Sequence, residues 1–151
     1  MKPVWMGRYK KLIDHLMAGF NVYSRTCADE LELAPGCKVS YVQMQVLEYL
    51  MENEDKMEKM AIVASNLGML PSAFSKLISR LMEKGYIEKH HANDNRKDII
   101  LKVSRKGHEI YDRFANTVLL PAFKPMFDAL SSLSDSEVDF FANSLVIRKA
   151  E

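Results

Sequence analysis

The fold is decided by residues 71–107, which read PSAFSKLISRLMEKGYIEKHHANDNRKDIILKVSRKG. Pro71 suits the first turn of a helix, because its missing N–H would have no partner there. Four apolar residues at helical spacing predict the buried face of that helix: Phe74, Leu77, Ile78 and Leu81. The opposite side carries small and basic residues: Ser72, Ser75, Lys76, Ser79 and Arg80. One face therefore packs and the other is free to bind a partner.

A β-hairpin is predicted directly after this helix. Lys84 and Gly85 end the helix, and residues 86–90 have the pattern of a strand. A polar turn over residues 91–97 leads to a return strand over residues 99–103, which is rich in β-branched residues. The order is thus helix followed by hairpin.

Two further helices are predicted just before residue 71. Ser40 and Gln43 fit a capping box, in which the hydroxyl and the amide each satisfy an orphan backbone N–H at a helix start. Residues 59–67 predict a short helix with Ile62, Val63 and Leu67 as its apolar residues, and this helix stops at Gly68. Together with the helix that begins at Pro71, they form a helix-turn-helix.

Long apolar stripes are predicted at both ends of the chain. Residues 9–27 carry apolar side chains at steps of three and four, which predicts a long helix that ends at residues 34–36. Pro121 and Pro125 lie in an apolar stretch near the other end, where a helix must kink or break. The N-caps predicted in this C-terminal part are Ser104 and, in a second capping box with Glu137, Ser134.

The sequence therefore predicts a mainly α fold with a small β-hairpin wing. A winged helix-turn-helix would occupy about residues 40–104, flanked by dimerisation helices at about 6–33 and 104–149. We expect these flanking helices to pair with a second copy, because the small winged-helix body cannot cover both apolar stripes. All 151 residues then form a single domain and a homodimer.

Composition narrows the function classes. With 48% hydrophobic and 27% charged residues, the chain has the profile of a packed globular protein. No apolar run approaches the roughly 18 residues of a membrane helix, and the N-terminus lacks the hydrophobic stretch of a signal peptide, so we expect a cytoplasmic protein that binds no membrane. Cys27 and Cys37 fit neither a disulfide scaffold nor a zinc motif, and reduced, incidental thiols are preferred over a redox switch.

An enzyme is not expected. The sequence contains no GxSxG elbow, HExxH, glycine-rich phosphate loop or Cys-His-Asn pattern, and its four histidines are scattered. His90 and His91 are adjacent on a predicted strand and point to opposite faces, which disfavours a zinc site. We therefore expect no catalytic residues, no cofactor and no metal.

The net charge of +1 hides a local asymmetry. Residues 71–108 hold nine basic and four acidic residues, a net +5, so the remainder of the chain carries −4. One explanation of this excess of basic residues is an ordinary solvated protein surface with no binding role. The coincidence of helix-turn-helix, hairpin and positive charge instead favours a protein that inserts a helix into a DNA groove.

The wing resembles that of the MarR family of winged-helix transcription regulators. That family has Asp-x-Arg, an apolar strand and Leu-Thr-x-x-Gly, and here Asp94-Asn95-Arg96 and a strand precede Ser104-Arg105-Lys106-Gly107. The interval from Asp94 to Ser104 is one residue longer than the common spacing, which predicts a bulge at the wing tip. The similarity extends over nearly the whole chain, including Gln43 with Val46-Leu47, residues 63–67 and residues 81–87.

The resemblance implies a homodimeric regulator, built from the N- and C-terminal helices, that binds a near-palindromic operator. Such regulators are usually released from DNA by a small ligand or an oxidant. The cysteine that the family commonly uses for oxidant sensing, early in the first helix, is absent from the aligned residues 16–20. A repressor of transcription that responds to a ligand is therefore the expected function.

The types of residue on the helix and on the hairpin indicate how each would contact double-stranded DNA. The small residues Ser72, Ala73, Ser75 and Ser79 let the helix approach base edges, whereas Lys76 and Arg80 reach phosphate or guanine. On the hairpin, the predicted contacts are Arg96 and Lys97, with the Arg96 guanidinium in the narrow minor groove. Asp94 would hold that guanidinium by an ion pair, although an ordinary turn residue is the alternative.

An effector pocket is the least defined prediction. A small apolar or aromatic ligand could bind between the dimer helices and the winged-helix body, against Phe20, Tyr23, Met44, Leu47 and Tyr111. The alternative for each of these residues is the hydrophobic core. A winged helix that binds only protein is the alternative function, but a protein-binding face would more often carry exposed aromatic anchors than serines and basic residues.

Overall fold

The structure of the protein, a computed structural model, describes residue 1, residues 4–92 and residues 95–145, with the backbone alone at residues 95 and 96. The chain divides into two compact units, Met1–Tyr111 and Asp112–Glu151. The helices are α1 (Lys10–Thr26), α2 (Tyr41–Glu52), α3 (Met60–Asn66), α4 (Pro71–Glu83), α5 (Arg105–Phe114), α6 (Leu120–Leu130) and α7 (Asp135–Ser144). The strands are β1 (Leu31–Ala34), β2 (Cys37–Val39), β3 (Ile87–Ala92) and β4 (Asn95–Val103). The predicted winged-helix architecture is confirmed.

The helix-turn-helix begins at a capping box, as predicted. The Gln43 N–H donates to Ser40 Oγ at 3.3 Å, and the Ser40 N–H donates to Gln43 Oε1 at 3.2 Å. Both residues are buried, so these bonds satisfy backbone groups that water cannot reach. Gly68 closes α3 with φ +66°, a conformation that side chains with a Cβ rarely adopt. Pro71 then occupies the first turn of α4.

The core of the first unit is apolar and lies under the helix-turn-helix and the hairpin β3–β4. Its buried members are Val39, Met44, Val46, Leu47, Leu50, Val63, Ala64, Phe74, Ile78, Leu81, Tyr86, Ile87, Ile100, Leu101 and Ile110. Two sequence predictions need correction here. Ile62 is 47% exposed, whereas Val63 is buried as predicted, together with Ala64, and Leu77 lies at the margin of the core, half-buried.

The wing is the antiparallel pair β3–β4. Ile87 pairs with Val103 and His91 with Ile99, whereas Ala92 pairs with Asn95, so β4 carries extra residues between two consecutive pairs. This irregular register agrees with the bulge that the long wing predicts. Asp94 itself lies outside the described residues.

The region between α1 and α2 differs from the sequence prediction. Helix α1 ends at Thr26, and residues 31–39 form the antiparallel hairpin β1–β2 rather than the end of a long helix. The turn at Pro35 and Gly36 explains the change, because Gly36 has φ +74° and its N–H donates to Glu32 Oε1 at 3.0 Å. The helical part of the predicted 6–33 segment is therefore shorter than expected.

The second unit is helical through both prolines, so of the two predicted alternatives, a kink or a break, the break does not occur. A π-helical turn, Ala115–Leu119, precedes α6, which has Pro121 in its first turn and Pro125 in its interior. Such a turn accommodates the irregular hydrogen bonding near a proline. The second capping box is confirmed: the Glu137 N–H donates to Ser134 Oγ at 3.3 Å at the start of α7.

Among the described residues, no single helix has the length and apolar character to cross a membrane. Helices α3 and α4 meet that criterion only as a pair, by length and composition, and they are bent by 110°.

Candidate nucleic-acid interface

Helix α4 is anchored by one face and exposed on the other. Phe74, Ile78 and Leu81 are almost completely buried and hold the helix on the core. All six residues predicted to contact DNA on this helix are exposed: Ser72, Ala73, Ser75, Lys76, Ser79 and Arg80. Since successive residues are about 100° apart around a helix, they form two edges. We call Ser72, Ser75 and Ser79 the serine edge, and Ala73, Lys76 and Arg80 the basic edge.

The serine edge presents small hydroxyl groups. The Ser79 hydroxyl donates to the Ser75 carbonyl oxygen at 3.1 Å, which leaves its lone pairs free to accept. The N-terminus of α4 has no side-chain cap and no acidic residue in its first turn, so its N–H groups and helix dipole favour a negative partner such as phosphate. Small side chains at this edge allow the helix backbone to approach a partner closely.

The basic edge supplies the charge. No described carboxylate forms a salt bridge with Lys76 or Arg80, so both cations are available to a ligand. A cavity of about 390 Å³ opens beside this edge, and its lining includes Ala73, Lys76 and Arg80 together with Val42 and Gln43. Lys76 and Arg80, two of the nine basic residues in residues 71–108, thus lie along one side of α4.

The wing is tied to the helix-turn-helix through the middle of β4. Lys59 Nζ lies 3.1 Å from Asp98 Oδ2, and Lys59 forms an isolated backbone bridge with Ile100 of β4. Lys97 is exposed on β4, and the backbone of Arg96 lies in the same strand. The predicted ion pair of Arg96 with Asp94 falls partly outside the described residues and stays a prediction.

The junction of α4 with the wing is closely packed. The Ser104 N–H donates to the Tyr86 carbonyl at 2.9 Å, and the Ser104 hydroxyl donates to the Gly85 carbonyl at 2.6 Å. The Gly107 N–H donates to Ser104 Oγ at 3.0 Å, which confirms Ser104 as the N-cap of α5. A Cβ on Gly107 would lie 2.2 Å from the Tyr86 carbonyl oxygen. This contact explains why the Ser-x-x-Gly stretch ends in glycine.

Lys84 connects the end of α4 to segments far away in sequence. Its Nζ donates to Glu30 Oε1, to the Lys38 carbonyl oxygen at 2.8 Å and to Gln43 Oε1 at 3.2 Å. The hydrogen bond from Lys84 lowers the pKa of the Glu30 carboxyl group. No local sequence pattern predicted this cluster, because the segment that holds Glu30 was assigned to a helix.

A second contact joins the hairpin β1–β2 to the same region. Cys37 Sγ lies 3.4 Å from the Tyr86 hydroxyl oxygen, and Tyr86 is only 3% exposed. Burial, and then the hydrogen bond with the Cys37 thiol, raises the pKa of Tyr86, so its hydroxyl stays protonated.

The five residues predicted for an effector pocket occupy different environments. Phe20 and Tyr23 are exposed on α1, Met44 and Leu47 are buried in the core, and Tyr111 is half-buried. None of them lines the cavity beside the basic edge. Burial, followed by the charge of Cys27, raises the pKa of the Tyr23 hydroxyl, which donates to Gln45 Oε1 at 3.1 Å. The effector pocket therefore stays a prediction.

The described residues contain no group of three or more His, Cys, Asp or Glu that could hold a metal ion.

Comparison with known proteins identifies the fold. No family model and no curated protein sequence matches the chain. Among solved structures, a MarR mutant from E. coli complexed with operator DNA matches with a TM-score of 0.63 and 13% identity over 95% of this chain and 99% of that chain. The S. aureus MepR–DNA complex matches with a TM-score of 0.60 and 16% identity over 95% and 94%. PcaV of Streptomyces coelicolor, in complex with its natural ligand, matches with a TM-score of 0.59 and 14% identity over 96% and 93%.

These similar structures are transcriptional regulators, and the chain shares their fold over nearly its full length. The resemblance to MarR-type winged-helix proteins inferred from the wing residues is thus confirmed at the level of structure.

Proposed function

We propose that this protein is a sequence-specific transcriptional regulator that binds double-stranded DNA as a homodimer. The observation that carries the proposal is the anchored helix α4, whose exposed side combines the serine edge with two cations that form no described salt bridge. That arrangement suits a recognition helix in the major groove, where small side chains reach base edges and cations neutralise phosphates. Two of the similar structures contain DNA, which agrees with this role.

In this proposal the wing supplies a second contact. Arg96 enters the minor groove, where the negative potential of a narrow groove attracts a guanidinium, and Lys97 adds a phosphate contact. Asp94 orients the Arg96 side chain by an ion pair. The two halves of the dimer would then bind the two halves of a near-palindromic operator.

Exposed apolar side chains support the homodimer. On α1 they are Leu12, Met17, Phe20, Val22 and Tyr23. In the second unit they are Leu120, Phe123, Met126, Phe127, Leu133, Val138, Phe140, Phe141 and Leu145. A monomer in water rarely exposes apolar stripes of this length, whereas an isologous interface between two copies would cover them.

The finer function that we propose is that of a repressor released by a small apolar or aromatic ligand, without catalytic activity and without a cofactor. One similar protein, PcaV, was solved with its natural ligand. The ligand would bind near Phe20, Tyr23 and Tyr111, and would change the position of the DNA-binding surface. The protein would act in the cytoplasm, on chromosomal DNA.

The decisive experiment is selection of bound duplexes from a random DNA pool by the intact chain. We expect a palindromic consensus with half-site centres about 10 base pairs apart. The double variant Lys76→Ala/Arg80→Ala should enrich no consensus, whereas Lys56→Ala, which removes a lysine outside α4 and the wing, should enrich the same one. Failure of the unaltered protein to enrich any sequence would contradict DNA recognition and favour a winged helix that binds protein.

A further inference from the structure

We infer that Lys84 is a positioning residue for DNA recognition, through which the hairpin β1–β2 sets the orientation of the recognition helix. This inference rests on the proposed function and adds to it an element outside the helix-turn-helix and the wing. The acceptors of Lys84 are the Glu30 carboxylate, the Lys38 carbonyl and the Gln43 amide oxygen, and we call this cluster the hairpin brace.

The hairpin brace uses the full donor capacity of the lysine. An ammonium group has three N–H donors, and Lys84 Nζ has three acceptors, which come from the residue just before β1, from β2 and from the first turn of α2. Gln43 at the same time completes the capping box of α2. The side chain of Lys84 is 26% exposed, so these bonds are partly shielded from water. A freely solvated surface lysine would have no such fixed geometry.

A second contact reinforces the same connection. Cys37 of β2 lies 3.4 Å from the hydroxyl of Tyr86, two residues after Lys84. Lys106 Nζ donates to the Lys84 carbonyl oxygen at 2.8 Å and lies 5.3 Å from the centre of the Tyr86 ring. The segment that ends α4 is therefore held from one side by the hairpin β1–β2 and from the other by α5.

This position matters because Lys84 is the C-cap of α4. Ser75 and Lys76 lie eight or nine residues before it, about 13 Å along the helix axis. A tilt of about 5° at the C-terminal end would displace them by about 1 Å, which is enough to lose good hydrogen-bond geometry with a base. The brace can thus change base recognition without touching DNA.

The alternative is that Lys84 acts through its charge alone, as one more cation for phosphate. The two explanations predict opposite signs for Glu30→Gln. Removal of a negative charge strengthens DNA binding if charge alone matters, whereas loss of the ion pair weakens specific binding if Lys84 positions α4. Glu32→Gln is the matched control, because Glu32 is an acid on the same hairpin that bonds to Gly36 rather than to Lys84.

The test measures the affinity of the intact chain for its selected duplex and for a scrambled duplex of equal composition, over a range of salt. We expect Glu30→Gln to weaken binding of the selected duplex about two- to fivefold, the size of a partly exposed ion pair, without weakening binding of the scrambled duplex. Lys84→Met should lower the same preference and Lys84→Arg should restore most of it. Glu32→Gln should leave the preference unchanged.

The results of this test distinguish a failure of the inference about Lys84 from a failure of the proposed function. Equal or tighter specific binding by Glu30→Gln, or a salt slope that falls by about 0.9 for each subunit in Lys84→Met, would overturn the inference in favour of a phosphate contact. If the random pool gives no consensus, the proposed function fails, and hydrogen exchange then tests the brace alone. Glu30→Gln, but not Glu32→Gln, should accelerate exchange at the amides of residues 84–86. Equal exchange in both variants would show that no brace exists.

Discussion

Gly107, at the junction of α4 with the wing, has no room for a Cβ atom. We therefore expect Gly107→Ala to lower the stability of the fold strongly. The added Cβ would lie 2.2 Å from the Tyr86 carbonyl oxygen and 2.6 Å from Val103 Cγ1, whereas Cβ atoms in proteins essentially never approach another atom within 3.0 Å. The start of α5 and the turn at Tyr86 would therefore have to separate by about 0.8 Å or more. That movement strains the two hydrogen bonds from Ser104 to Tyr86 and Gly85.

The expected cost is about 2 to 4 kcal/mol, the sum of overpacking strain and one or two weakened hydrogen bonds. Thermal and urea unfolding at a fixed protein concentration measure it, and the melting temperature should fall by roughly 5 to 15 °C. His108→Ala is the control, because His108 is the next residue of the same helix and is exposed. It should change the free energy of unfolding by about 0.5 kcal/mol or less. A Gly107→Ala variant as stable as that control would refute the close packing at the junction of α4 with the wing.

The remaining predictions concern DNA binding, assembly and capping. Lys76→Ala should reduce the slope of log affinity against log salt by about 0.9 per lost phosphate contact in each subunit, and an unchanged slope would remove Lys76 from the phosphate-binding set. Arg96→Ala should weaken binding to all operators and most strongly to those with A·T-rich flanks, as measured against a series of flank variants; undiminished affinity in a folded dimer would contradict the wing contact. Truncation after Leu133 should give a monomeric or insoluble chain in sedimentation, and an intact protein that is monomeric at micromolar concentration would disprove the dimer. Ser40→Ala should destabilise the fold by about 0.5 to 2 kcal/mol in urea unfolding, because it removes a buried N-cap, whereas Ser40→Thr retains the hydroxyl and should lose less.

Features that depend on neighbouring residues were predicted from the sequence. The capping boxes at Ser40 and Ser134 and the start of α4 at Pro71 involve partners within three or four residues, so the local pattern contains the whole interaction. The two faces of α4 follow in the same way from helical periodicity. The six residues expected to face DNA on α4 are therefore all on its exposed side.

Errors occurred where the local pattern was compatible with two structures. Residues 31–34 were assigned to the end of a helix and form β1, since short apolar runs do not distinguish a helix from a strand and pairing with β2 decides the outcome. A kink or a break was expected at Pro125, and the structure continues the helix through it as α6. In both segments, the surrounding structure outweighed the intrinsic secondary-structure preference of the individual residues.

The sequence by itself determined the class of fold, the position of helix α4 and the excess of positive charge in residues 71–108, because each of these depends on residue type and short spacing. Only the tertiary structure decided how that helix is held. Glu30 and Lys84 are 54 residues apart and Cys37 and Tyr86 are 49 apart, and no periodicity connects such pairs. Their approach depends on the hairpin β1–β2, whose formation itself requires packing between distant segments. Hydrogen bonds act over about 3 Å in space, without regard to separation along the chain, and this is why the brace appears only in the folded molecule.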